Sequence, residues 1–345
     1  MSISEWSFVG LGLISVAVAL LFWPRLGAVP RLIRLWRAIR RVEIEDALKY
    51  LYNCEYSGTN ATLEGLSGAL RISDRRVVQL ATKLEALGLL TTVAEGLRLT
   101  ESGRNNALHV IRIHRLWEAY LAEQTGVPPS AWHREADRRE HHTTPEAAEA
   151  LAARTGDPRF DPHGDAIPTV DGQIAPRRGL PLSQLGAGIL AEVVHVEDEP
   201  QVLYDQLLAR GVRPGTRVRL LDVEPEQLRV DLDGRASDLT TLAAANVLVK
   251  PLPRTAELEA PTARLSELEL GESARVVRIS PICRGLQRRR LFDLGLIPGT
   301  TVTAELRSPS GDPTAYRIRG TLIALRKEQA DLIHVTDQER GRERS

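Results

Sequence analysis

Apolar and polar positions change their pattern several times along the chain. Trp6 to Trp23 is an apolar run of 18 residues without a charge. As a helix rising about 1.5 Å per residue it spans about 27 Å, close to the depth of a bilayer core. A Trp at each end suits the two membrane interfaces. Ile44, Ala47, Leu48, Leu51 and Tyr52 then recur at helical spacing and predict a helix over 43–56. Thr62 can cap a second helix carrying Leu63, Leu66 and Leu70. Ser73 or Asp74 can cap a third, with Val77, Val78, Leu80, Leu84 and Leu87, ending at Gly88. Leu89 to Thr100 predicts a two-stranded wing with Glu95-Gly96 at its turn. Short helices followed by a wing form a winged helix-turn-helix pattern. Beyond the Pro/Gly-rich stretch 158–181, one pattern occurs twice, over 191–218 and 274–302. Each copy runs strand, short helix, Gly, apolar residue, Pro-Gly turn, strand. Gly211 matches Gly295, and Pro214-Gly215 matches Pro298-Gly299. The first Gly suits a helix C-cap and Pro-Gly a tight turn. Later strands (229–232, 316–319, 331–335) predict two small β-barrels of SH3 type.

Charge sharpens the N-terminal reading. Pro24 to Arg41 holds Arg25, Arg31, Arg34, Arg37, Arg40 and Arg41 and no acid, and Glu5 is the charged residue before the run. A cleaved signal peptide wants basic residues first. The run therefore reads as an anchor. The positive-inside rule then places the C-terminal domains in the cytoplasm, on a single-pass protein of the inner or plasma membrane. Arg31, Arg34 and Arg37 among Leu32, Ile33, Leu35 and Trp36 suit either an interfacial amphipathic helix or a plain stop-transfer flank. Overall, 45 basic side chains balance 45 acidic ones and 43 % of the residues are hydrophobic. This excludes a uniformly basic nucleic-acid coat, wholesale disorder and a polytopic membrane protein. Cys54 and Cys283 form no CxxC pair, which argues against a disulfide framework or an all-cysteine zinc site. Opposite its leucines the third helix shows Ser73, Arg75, Arg76, Gln79, Thr82 and Lys83. Arg, Gln and Thr can reach base edges, while Lys and Ser can hold phosphates. The same polar face would also suit a three-helix protein-interaction module.

Five of the eight histidines fall between His109 and His142. His114 and Glu118 are four apart and share a helix face, and Asp137, Glu140 and His141 share another. Imidazoles with carboxylates, and no thiolate, suit a borderline-to-hard divalent ion such as Mn²⁺ or Fe²⁺. The spacing is neither HExxH nor HxxEH, so a zinc-protease reading fails. A serine triad lacks a nucleophile elbow. A solvated charged helix face remains the plainer alternative on spacing alone.

Residues 42–250 resemble the diphtheria-toxin-repressor-like, metal-dependent regulators of the DtxR/MntR type. The helix-turn-helix carries the resemblance with three blocks in the family's order: LTESGRNNALHVIRIHRLWEAYL (99–121), WHREADRREHH (132–142) and DPRFDPHGDAIP (157–168). The resemblance implies two metal sites per subunit. His114, Glu118 and His133 would serve one, and Asp137, Glu140 and His141 the other, joined by Asp46 from the first helix. Lys49 falls where the manganese-sensing branch carries a Glu ligand, and Asp137 replaces the Cys of the iron-sensing prototype. The resemblance also implies a homodimer on a palindromic double-stranded operator, with metal setting the spacing of the two recognition helices.

The two C-terminal repeats resemble the FeoA-like module of bacterial ferrous-iron transport, and the first also resembles the third domain of the longer regulators. In those an acid and an amide complete one metal site, with Glu197 and Gln201 as weaker candidates here. Arg284, Arg288, Arg289 and Arg290 read as a solvated basic face or an anion site.

The expected architecture is a mainly α N-terminal half followed by two small SH3-like, FeoA-like β-barrels. The segments are an anchor with its basic flank (1–41), winged helix-turn-helix (42–104), helical metal-binding and dimerisation domain (105–165) and linker (166–185). The first FeoA-like domain (186–252), a linker (253–263), the second such domain (264–337) and a tail (338–345) follow. The expected function is a membrane-tethered, Mn²⁺- or Fe²⁺-dependent regulator that represses divalent-metal uptake and catalyses nothing. The rival is a membrane-anchored adaptor that contacts a ferrous-iron transporter through its FeoA-like modules and binds no DNA.

Overall fold

The computed structural model describes residues 28–176, 178–253 and 263–337. The anchor expected over 6–23 and the tail lie outside them. Among the described residues no helix is long and apolar enough to cross a membrane. The chain divides into two compact units, Met1–Arg112 with Val170–Gly172, and Ile113–Thr169 with Gln173–Ser345.

In the first unit, helix α1 spans Ala28–Ser57. It starts well before residue 43, so the expected boundary at 41/42 falls inside a continuous helix. No Gly or Pro interrupts 31–57, and Pro30 sits in the first turn, where its missing N–H costs nothing. Ala47, Leu48, Leu51 and Tyr52 form the buried stripe. Helix α2 (Leu63–Leu70) begins at Thr62, whose hydroxyl accepts from Gly65 N–H. Helix α3 (Asp74–Ala86) buries Val77, Leu80, Ala81 and Leu84. Strands β1 (Leu90–Val93) and β2 (Gly96–Leu99) form the wing, with Leu90 opposite Leu99. A Cβ at Gly96 would meet Ala61 O at 2.3 Å, so the wing seats on the backbone before α2 only with glycine here. Helix α4 (Glu101–Gln124) follows at once and continues into the second unit.

The second unit packs α4 beyond Arg112 with α5 (Trp132–Glu140) and α6 (Pro145–Thr155). Ile113, Leu116, Ala119, Ala148, Leu151, Ala152 and Ile167 form their core. Thr144 caps α6, Pro145 opens it and Gly156 closes it in the left-handed conformation.

Two antiparallel sheets of one topology follow. The first module has strands β3 (Leu180–Pro181), β4 (Leu190–Val196), β5 (Arg217–Val223), β6 (Gln227–Leu232), β7 (Arg235–Thr240) and β8 (Val247–Pro251). Their order is β3-β8-β4-β5-β6-β7. Helix α7 (Gln201–Ala209) follows β4, and α8 (Thr241–Ala245) precedes β8. The second module has β9 (Ala263–Arg264), β10 (Ser273–Ile279), β11 (Thr301–Arg307), β12 (Thr314–Ile318), β13 (Thr321–Leu325) and β14 (Ile333–Asp337). Its order, β13-β12-β11-β10-β14-β9, is the same path, with α9 (Gly285–Asp293) and α10 (Lys327–Ala330) at the equivalent places. Even the register shifts match, at Val193/His195 and Val276/Arg278, and again at Leu220/Asp222 and Ala304/Leu306.

Two expectations change. The end strands of each sheet do not pair with one another among the described residues, so the ladders are open and not closed barrels. The first module also starts at β3, inside the expected linker 166–185. Leu182 and Leu185 are buried in its core, and flanking Pro and Gly hid a strand of two residues.

Candidate metal centre and recognition helix

Helix α4 presents His114 and Glu118 one turn apart, and both are buried. Helix α5 brings His133, Asp137 and Glu140 against them, with His141 at its C-cap. His114 Nε2 lies 3.1 Å from Glu118 Oε1 and 3.3 Å from His133 Nδ1. His133 Nδ1 lies 3.3 Å from Glu118 Oε1. The three side chains expected to share a site therefore converge.

The other ring nitrogen of His114 faces a second set. His114 Nδ1 lies 2.5 Å from Glu140 Oε2 and 3.3 Å from Asp137 Oδ1. His141 Nε2 is 3.5 Å from Glu140 Oε1. Asp137 also reaches His133, with Oδ2 at 3.5 Å from Nε2. Asp137 thus borders both sets instead of belonging with Glu140 and His141 alone. A carboxylate on the far nitrogen of a ligating imidazole fixes its tautomer and orientation, and Glu140 stands in that position towards His114. Asp46 lies in the first unit, half-buried on α1. Its assignment as a ligand rests on the resemblance.

Two participants were missed in the sequence. Asp198, in the loop after β4, has Oδ2 2.9 Å from His133 Nδ1. His163, in the turn after α6, has Nε2 3.5 Å from Glu118 Oε1. The acid that the first module brings here is Asp198, not its neighbour Glu197. Glu197 faces His195 at 3.6 Å, and the Gln201 amide donates to Asp205. The signal for His163 was the polar DPHGD turn inside the third quoted block. Asp198 stands beside the expected acid, in a loop where no periodicity selects which side chain points inward.

Electrostatics ties the cluster together. Burial penalises the Glu118 carboxylate, yet His114 and His163 hold it well below the usual range. Burial also disfavours a charged His133, but hydrogen bonds to Asp198 and Glu118 outweigh it and push the imidazole up to about 10. Asp198 is half-buried; desolvation works to raise its carboxyl, but its bond to His133 leads the effects that hold it below the usual range. The buried carboxylates are thus balanced by imidazolium charge, a role open to a divalent cation that displaces the protons. The donors of His114, Glu118 and His133 lie within 4.8 Å of one another, as do those of Glu118, His163 and Asp198. Donor type, spacing and burial fit a divalent ion.

On α3, Ser73, Arg75, Gln79 and Thr82 are exposed. Thr82 donates to Val78 O. Arg76 departs from the expectation of an outward base reader, because it is half-buried in an ion pair with Glu43 of α1. Lys83 turns to the same side and lines a small cavity with Arg40, Glu43 and Gln79. Ser73 stands at the N-cap, but its hydroxyl makes no capping bond. On the second module, Arg284 and Arg288 are not solvated as expected of a plain basic face. Arg284 donates to Pro162 O and Arg288 to Ser280 O and Cys283 O, while Arg289 and Arg290 point outward.

Comparison with known proteins agrees with this geometry. Residues 100–169 match the iron dependent repressor, metal binding and dimerisation domain, and residues 180–251 and 263–337 each match the FeoA domain. The iron-dependent repressor IdeR of Mycobacterium tuberculosis is 31 % identical over 188 residues, covering 50 % of this chain and 81 % of its own. The diphtheria toxin repressor of Corynebacterium glutamicum is 30 % identical over 207 residues, covering 56 % and 89 %. A manganese-dependent transcriptional repressor in complex with manganese superposes with a TM-score of 0.57 at 28 % identity, covering 60 % of this chain and 99 % of its own.

A winged helix-turn-helix continued by one helix into a buried imidazole-carboxylate cluster defines a metal-responsive DNA-binding protein. The chain belongs to the DtxR/IdeR family of iron- and manganese-dependent repressors. It carries two FeoA domains in tandem. The relatives that cover about half of the chain or more, IdeR and the diphtheria toxin repressor, are repressors, a non-enzymatic family.

Proposed function

We propose that this chain is a metal-dependent transcriptional repressor of divalent-metal uptake genes, binding a palindromic operator as a homodimer. The convergence of His114, Glu118, His133 and Asp198 from α4, α5 and the β4–α7 loop carries this reading. These residues would hold one Mn²⁺ or Fe²⁺ ion. Glu140, His141 and Asp137 contribute to a second set, to which the resemblance adds Asp46. The ion supplies positive charge that draws segments distant in sequence together. It favours the DNA-competent state by the difference in its affinity for the two states, and that difference is the coupling energy. Ser73, Arg75, Gln79 and Thr82 supply the outward face of the recognition helix. Arg76 and Lys83 brace it from the α1 side. The proposal keeps the anchor over 6–23, with the C-terminal domains in the cytoplasm, which confines the search to DNA near the membrane. The FeoA domains leave room for a contact with a ferrous-iron transporter.

The test is footprinting of the full chain on the upstream regions of metal-transport genes, with and without Mn²⁺ or Fe²⁺. Metal-dependent protection of a two-fold site is expected. Glu140→Ala and His141→Ala should lose the metal response while keeping their circular dichroism spectrum. Absence of metal-dependent protection in the parent chain would overturn the reading.

A further inference from the structure

The β10–α9 loop of the second FeoA module is the counterpart of the β4–α7 loop of the first. Each leaves its strand after the matching register shift and ends at the N-cap of a short helix, Pro200 in one copy and Arg284 in the other. The first copy sends Asp198 to His133. The second copy sends a guanidinium. Arg284 keeps 22 % of its side chain exposed. Its Nη2–H donates to Pro162 O and its Nε–H to Pro281 O, both at 3.3 Å. The guanidinium stands 6.0 Å from the centre of the Trp132 ring, and Nη1 lies 4.0 Å from Glu123 Oε1. It also lines a small cavity with Tyr204 and Arg213 of the first module.

These neighbours stand on the elements that build the metal cluster. Glu123 lies on α4 with His114 and Glu118. Trp132 precedes His133, Pro162 precedes His163, and Tyr204 packs on the His163 ring at 5.0 Å between centroids. The rest of the loop closes the same seam. Gly285 N–H donates to Glu123 Oε2 at 3.1 Å, and at φ +56° a Cβ there would meet Glu123 O at 2.7 Å. A Cβ at Gly215, in the Pro-Gly turn of the first module, would lie 3.0 Å from Pro281 Cβ. Arg288 donates to Ser280 O and Cys283 O, which holds the loop in shape. A charge carried into such a seam loses water, and good partners must offset that cost. The groups around Arg284 come from α4, α5, the 161–165 turn and the first module. Its guanidinium is therefore satisfied only while those segments keep their mutual positions.

We propose that the second FeoA module is a latch on the metal centre, with Arg284 as its positioning residue. The inference rests on the metal-sensor reading above. A guanidinium has no lone pair to offer an ion, so Arg284 acts through its neighbours. It holds Trp132 and the 161–165 turn where His133 and Glu118 meet Asp198, which assembles the site before the ion arrives. The coupling is reciprocal: a latch that strengthens ion binding about tenfold is itself closed about tenfold more tightly by the ion. The rival role is a module that adds stability and is blind to the ion.

The first experiment is hydrogen exchange by mass spectrometry on the full chain, with and without saturating Mn²⁺. Peptides over 280–288 are expected to exchange about tenfold more slowly with the ion, while peptides over β12 and β13 do not change. This arm needs no variant and decides the matter if a substitution fails to fold. The second experiment titrates Co²⁺, by its d–d absorption, into the full chain carrying His141→Ala, which removes the second donor set from the signal. Adding Arg284→Ala or Gly285→Ala is expected to lower Co²⁺ affinity about tenfold. Adding Arg289→Ala, exposed on the same helix, is expected to leave it unchanged. Three results each overturn the latch and leave the metal-sensor reading standing: exchange over 280–288 that ignores Mn²⁺, parent-like Co²⁺ affinity in folded Arg284→Ala and Gly285→Ala chains, or an equal loss in Arg289→Ala. If the parent chain takes up neither ion at this cluster, the metal-sensor reading falls and the latch falls with it.

Discussion

Single residues here carry constraints that can be separated by substitution. Gly164 combines a left-handed φ of +98° with a backbone oxygen where a side chain would stand. Gly164→Ala is expected to cost about 1–3 kcal/mol, read from urea denaturation. A loss below 0.5 kcal/mol would show that the turn relaxes. The two neighbouring arginines of α3 should behave differently. Arg75 is exposed, so Arg75→Ala is expected to weaken operator binding by about 1–3 kcal/mol, near ten- to a hundredfold, at unchanged stability. Arg76 is committed to Glu43, so Arg76→Ala should lower the melting temperature as well. Fluorescence anisotropy with thermal melts of both variants checks the contrast. Equal effects on DNA and stability at the two positions would refute it.

At the scale of elements, a buried ion pair links the two FeoA modules. Asp233, in the β6–β7 turn, pairs with Arg278 of β10, with side chains 10 % and 16 % exposed. Burial raises the Asp233 carboxyl and lowers the Arg278 guanidinium, so each charge depends on the other for its place. Arg278→Met leaves Asp233 buried and unpaired and is expected to cost about 3–5 kcal/mol. Adding Asp233→Asn should recover much of that loss. Asn tolerates the φ of +50° at this position and can still accept from Arg217 N–H. A double-mutant cycle by chemical denaturation measures the coupling, and additive losses would mean that the pair contributes nothing as a pair. A second junction joins the second module to α4. Gly285 N–H donates to Glu123 Oε2, and a Cβ at Gly285 would meet Glu123 O at 2.7 Å. The second module is therefore fastened to the helix that carries His114 and Glu118.

For the whole molecule, acid sensitivity has a source outside the metal cluster. His334 of β14 is 3 % exposed. Burial first, then Arg278, Arg264 and Arg217, hold its imidazole down to about 3. Above about pH 6.5 it is neutral in both the folded and unfolded chain. As the pH falls below that value the unfolded chain takes a proton that the folded chain refuses. The stability present above pH 6.5 is therefore lost progressively down to about pH 3. By pH 5 the loss from this source amounts to about 2 kcal/mol. His334→Gln should flatten the difference between urea midpoints at pH 7 and pH 5, relative to the parent chain. An unchanged difference would show that His334 does not set it.

How much of this was legible in the sequence follows from the range of each interaction. Helical spacing marked α1 to α3 and put His114 and Glu118 on one face, because neighbours four apart meet by helix geometry alone. The repeated Gly and Pro-Gly positions exposed the doubled module, because turns need those residues wherever the turn sits. The ordered blocks were enough to reach the repressor family and most of the histidine-carboxylate set. Tertiary structure alone decided which acid of the β4–α7 loop faces His133, that His163 stands beside Glu118, that Arg76 is spent on Glu43 and that Arg284 docks onto the helices. Each of these joins residues far apart in the chain through loops or side-chain rotamers, where no period along the sequence records the direction of a side chain. Sequence determined the elements and the kind of chemistry; packing decided which atoms share it.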